Sequence, residues 1–67
     1  MNLTVNGETY EIPRESVTVA QLVEQMGLAN QPVAVEVNKQ LVPKRRHAEA
    51  PLHDGDRIEV VTLVGGG

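Results

Sequence analysis

The chain contains no cysteine, no tryptophan and no phenylalanine, and Tyr10 is its only aromatic residue. Without thiols there is no disulfide framework, no thiolate nucleophile and no cysteine-based zinc or iron–sulfur site. The same absence suits a reducing, cytoplasmic setting. A single ring offers no stacking platform for single-stranded nucleic acid. Six Lys and Arg against nine Asp and Glu, a net charge of −3, offer no basic groove for it either. No nucleic-acid partner is therefore expected. Long apolar runs are also missing, and Met1-Asn2-Leu3 lacks the charged-then-apolar start of a secretion signal, so no membrane partner is expected. Sixty-seven residues make one domain. A domain of that size buries only about 60% of its unfolded surface and has no room for a deep substrate cavity.

Catalytic constellations are sparse. Ser16 is the only serine, and His47 and His53 are the only histidines. A Ser/His/Asp assembly with Asp54 or Asp56 can be drawn, but nothing around Ser16 resembles a nucleophile elbow. His53, Asp54 and Asp56 read as a turn ahead of a strand, because Asp side chains brace such turns and the spacing fits no metal site. No phosphate-cradling glycine loop precedes a helix. Hence no catalytic residue, no metal ligand and no bound cofactor is expected.

What the chain does have is a set of local folding signals. Leu3 and Val5 alternate with polar neighbours up to Asn6-Gly7, a type I′ hairpin signal. Folding back across it sets Val5 opposite Glu8 and Leu3 opposite Tyr10, with Tyr10 and Ile12 on the core side. Residues 13–17 read as a connection. Thr18 reads as an N-cap that forms a capping box with Gln21. Val19, Leu22, Val23 and Met26 then make one helical stripe, which Gly27 ends. A strand over 33–38 follows, then a turn into Leu41-Val42, closed by Pro43. Residues 44–51 read as a loop with at most one turn of helix. Within it Lys44-Arg45-Arg46 is either solvated or a contact for an acidic surface. Asp54-Gly55 marks a turn before a last strand over 57–63. Hairpin, helix and returning strands make the α+β, β-grasp plan: a mixed sheet with an N-terminal hairpin, one packed helix, and the first and last strands parallel at its centre.

Two features reach beyond the fold. In the last strand Ile58 and Val60 share the core face, which leaves Val61 and Leu63 on the other, an apolar surface for a partner that continues into Val64. Gly65-Gly66-Gly67 then reads as a flexible tail, residues 65–67 after a domain of 1–64. Free of Cβ atoms, it can enter a channel too narrow for side chains and present the Gly67 carboxylate to an activating enzyme. A frayed chain end is the plain alternative.

Val33-Ala34-Val35-Glu36-Val37-Asn38, Leu41-Val42-Pro43-Lys44, Asp54-Gly55-Asp56-Arg57-Ile58-Glu59-Val60-Val61 and Val64-Gly65-Gly66-Gly67 together resemble the ThiS family, the sulfur carriers of thiamine biosynthesis. The resemblance covers essentially the whole chain and implies a ubiquitin-like β-grasp fold. It further implies that an E1-like enzyme, using ATP and Mg²⁺, adenylates the terminal glycine. Sulfur from a cysteine desulfurase or another donor then makes a thiocarboxylate, which thiazole synthase consumes. By position, Gly65, Gly66 and Gly67 match the functional tail, with Gly67 the acyl residue, or Gly66 if one residue is trimmed. The family commonly carries an aromatic near His47, and this chain does not. A free monomer in the cytoplasm, acting as substrate and not as enzyme, is what the resemblance leads one to expect.

Three other readings stay open beside it. The sulfur carrier subunit of molybdopterin synthesis is usually longer and reaches its glycines through a Pro-containing segment. A ubiquitin-like protein modifier usually has Arg ahead of its glycines, where this chain has Leu63-Val64. A plain β-grasp interaction module would keep its function without Gly66-Gly67. Missing cysteines exclude a ferredoxin-type β-grasp.

Overall fold

The computed structural model describes residues 1–63. Strands β1 (Asn2–Val5) and β2 (Glu8–Glu11) form the hairpin, with Val5 opposite Glu8 and Leu3 opposite Tyr10. Asn6 and Gly7 sit at φ 51° and 81°, the paired positive values that a type I′ turn requires. A two-residue strand β3 (Val17–Thr18) leads into helix α1 (Val19–Gln25). The Thr18 hydroxyl accepts from the Gln21 amide at 3.2 Å, and the Gln21 side chain accepts from the Thr18 amide at 2.9 Å. Seven residues are too few for a helix to persist alone in water. Its hold on the fold is the buried stripe Val19, Leu22 and Val23, each contributing roughly 1.5–3 kcal/mol on burial. Gly27, at φ 78°, ends it.

Strands β4 (Val33–Val37) and β5 (Gln40–Val42) form a second hairpin across Asn38-Lys39, both at positive φ. A 3₁₀ helix (Lys44–Glu49), strand β6 (Pro51–Leu52) and strand β7 (Arg57–Thr62) complete the chain. The five-stranded sheet runs β2-β1-β7-β4-β5. At its centre β1 and β7 are parallel, while β7 and β4 are antiparallel. This is the β-grasp arrangement. One face of the sheet carries Leu3, Val5, Val35, Ile58 and Val60, and these form a single core with the helix stripe, Ile12, Val17 and Leu52.

Two segments differ from expectation. Residues 13–17 are not wholly a connection, since Val17 pairs with Leu52 and Thr18 with Pro51 in a separate two-stranded ladder. Residues 44–51 are more than a loop with one turn. Six of them make about two turns of 3₁₀ helix, a form with three residues per turn, and β6 follows. The cause lies in His47, which is buried at 7% exposure. Its Nε2 donates to the Val42 carbonyl at 3.0 Å, so a polar ring can fill an interior position and draw the segment onto the core.

Candidate functional site

Alternation along β7 sorts its side chains cleanly. Ile58 and Val60 are buried beneath the helix, while Arg57, Glu59 and Val61 point to the uncovered face. Val61 is 56% exposed and Leu63 52%. The ladder continues past the strand end, where the Leu63 amide donates to the Pro32 carbonyl at 2.9 Å. Register then fixes the neighbours. Ala34 lies opposite Val61, Glu36 opposite Glu59, and Leu41 opposite Glu36. Leu41 is 65% exposed. The uncovered face therefore carries Leu41, Ala34, Val61 and Leu63 around two glutamates.

The strand that bears this surface is held by asparagine at its start and again at Val60. The Asn6 side chain takes over where β1 stops: its Oδ1 accepts from the Val60 amide at 2.8 Å and its Nδ2 donates to the Val60 carbonyl at 3.1 Å. Asn38 Oδ1 accepts from the Arg57 amide at 3.0 Å, and Asn38 Nδ2 donates to Asp56 Oδ1 at 3.0 Å. Asp56 Oδ2 in turn accepts from the His53 amide at 2.8 Å. Asp54 Oδ1 accepts from the Asn2 amide at 2.6 Å. The two aspartates brace the turn into β7 and tie it to both hairpins.

The other polar candidates do not assemble into a catalytic group. Extending the β3–β6 register brings Ser16 toward His53, yet among the described residues no hydrogen bond joins Ser16 to either histidine. The His53 side chain is 75% exposed, with nothing to exclude water. Among the described residues no His/Asp/Glu group of three or more could hold a metal ion. Also among them, no helix is long and apolar enough to cross a membrane. Lys44, Arg45 and Arg46 are exposed on the 3₁₀ helix.

Of the residues expected to carry function, Val61 and Leu63 are thus placed on the open face, whereas Val64, Gly65, Gly66 and Gly67 lie outside the described residues. Leu41 was not among them. Its nearness to Val61 comes only from the β5-β4-β7 register, although a bulky residue in the short step before Pro43 was a signal for it.

Comparison with known proteins places these features. The ThiS family model matches residues 3–67. The sulfur carrier protein ThiS of Bacillus subtilis is 38% identical over 65 residues, covering 97% of this chain and 98% of that one. A thiazole synthase of Paramagnetospirillum magneticum is 40% identical over the full 67 residues, and this chain spans only 20% of its length. The crystal structure of the thiamine biosynthesis protein ThiS from Geobacter metallireducens superimposes with a TM-score of 0.85 at 33% identity, covering all of both chains. By sequence along nearly its whole length and by fold, the chain belongs to the ThiS family.

Proposed function

We propose that this chain is a sulfur carrier of thiamine biosynthesis, a substrate handed between enzymes and not itself a catalyst. The observation that carries the reading is the family match that runs unbroken through Gly65, Gly66 and Gly67. Support comes from the exposed surface of Val61 and Leu63, which adjoins that glycine segment in sequence and gives an enzyme something to hold.

In this reading residues 1–64 form the domain that is recognised, and residues 65–67 deliver the acyl group. An E1-like enzyme uses ATP and Mg²⁺ to convert the Gly67 carboxylate to an acyl adenylate, releasing pyrophosphate. Sulfide attacks the acyl carbon, AMP leaves, and a thiocarboxylate remains. If Gly67 is trimmed, Gly66 takes its place. Thiazole synthase is the acceptor, and the similarity of this whole chain to one fifth of a thiazole synthase supports that pairing. A cysteine desulfurase, with a thiol reductant that brings its persulfide sulfur to the sulfide level, or another donor supplies the sulfur. Val61, Leu63 and Val64 form the docking surface, and the setting is the cytoplasm.

Intact mass after incubation with the adenylating enzyme, ATP, Mg²⁺ and sulfide tests the proposal. Replacing one oxygen by sulfur adds about 16 Da, the same as methionine oxidation at Met1 or Met26. Fragmentation must therefore place the increment on the terminal glycine. An increment confined to methionine, or none at all, overturns the reading.

A further inference from the structure

Glu36 and Glu59 face each other directly across β4 and β7 on the uncovered face of the sheet. The flanking bonds, Asn38 amide to Arg57 carbonyl and Leu63 amide to Pro32 carbonyl, make this one of the hydrogen-bonded pairs. Its Cα atoms are then about 5.5 Å apart. Like charges placed directly opposite destabilise a sheet. No ion pair among the described residues relieves either carboxylate, since the one that forms joins His53 to Asp56. Apolar residues flank the pair on two sides, and Arg57 stands on the same face two residues before Glu59 without an ion pair to it. Leu41 lies beyond Glu36 in the same row, and Ala34 and Val61 fill the next row. Two carboxylates without an ion-pair partner among the described residues, at the border of an exposed apolar patch, destabilise the isolated fold, and a partner of opposite charge would relieve the repulsion.

We propose that this face receives a partner protein presenting an arginine or lysine within an apolar surface, and that Glu36 and Glu59 together hold that cation while Leu41, Val61 and Leu63 take the apolar contacts. The inference rests on the docking role given to Val61 and Leu63 above and adds the chemistry of the partner. Charge complementarity selects the occupant. Register sets Glu11, Glu36 and Glu59 on this face against a single base, Arg57, so a second copy of the chain would bring the same excess of carboxylates to meet it. A planar guanidinium can bridge two carboxylates, which makes arginine the better fit.

The test is the double variant Glu36→Gln/Glu59→Gln, read by thermal unfolding and by titration against the adenylating enzyme. Relief of repulsion should raise the unfolding midpoint by about 1–5 °C. Affinity should fall at least about tenfold, because the partner's cation is left without its counter-charge. Wild-type binding should weaken between about 0.05 and 0.5 M salt, and the variant should lose most of that dependence. A midpoint that does not rise, or an affinity and salt slope that do not change, overturns the proposal. So does sedimentation showing a wild-type dimer that the two substitutions dissociate. Leu63→Asp, run alongside, separates the two claims. If it binds normally, the docking face itself is wrong. If it loses affinity while the glutamine variant keeps it, the face stands and the basic partner falls.

Discussion

Asn6 performs two tasks, and few other side chains could perform either. It accepts the positive φ of the hairpin turn, and it closes the open edge of β7 with two hydrogen bonds to Val60. Asn6→Ala should therefore cost about 2 kcal/mol, from two lost bonds and a strained backbone, measured by denaturant unfolding. A loss below about 0.5 kcal/mol would show that the edge bonds are replaced by water without penalty. Residues 58 and 63 test the two faces of β7 against each other. Leu63→Asp should cost the isolated fold under about 1 kcal/mol and weaken binding to the adenylating enzyme tenfold or more. Ile58, at 1% exposure, should behave oppositely: Ile58→Asp should unfold the domain outright. In the glycine segment, Gly66→Val should lower activation by at least about two orders of magnitude if a β-branched side chain keeps the carboxylate from near-attack geometry. ATP–pyrophosphate exchange measures it, and an unaltered rate would remove the narrow-channel argument.

Among the elements, α1 depends on its cap because it has only two turns to work with. Thr18→Ala removes the hydroxyl half of the capping box, leaving the Gln21 amide without its acceptor, and should cost about 1 kcal/mol by thermal or chemical unfolding. That cap was legible in the sequence, as were Asn6-Gly7, Gly27 and Asp54-Gly55, because each is a signal carried by two to four adjacent residues. The faces of β7 were legible too, from simple alternation. What local signals do not carry lies between distant residues. A two-residue ladder joining Val17 to Leu52 has no periodicity to betray it, and it forms because the 3₁₀ helix folds the chain back. In sequence His47 reads as a residue of a charged loop, but its burial depends on a carbonyl five positions earlier. The opposition of Glu36 and Glu59 likewise needed the strand order and register, so half of the candidate surface was readable and the acidic half was not.

For the whole molecule, the proposed function puts recognition and chemistry on different parts of the chain. Deleting Gly66 and Gly67 should move stability by no more than about 0.5 kcal/mol and abolish ATP–pyrophosphate exchange with the adenylating enzyme. Continued exchange by the shortened chain would refute the carrier reading. The central position of β7 bears on how the fold forms. The N-terminal hairpin and the β4–β5 hairpin are each local, but in the five-stranded sheet they meet only through β7, the last strand in sequence. Neither half gains a neighbour until that strand inserts between them, so the loop closures that join distant residues come before most of the stabilising contacts. Formation of the sheet should then be all-or-none, with amide protons of β1, β4 and β7 exchanging together only through global opening. The β3–β6 ladder should exchange sooner, by local fluctuation.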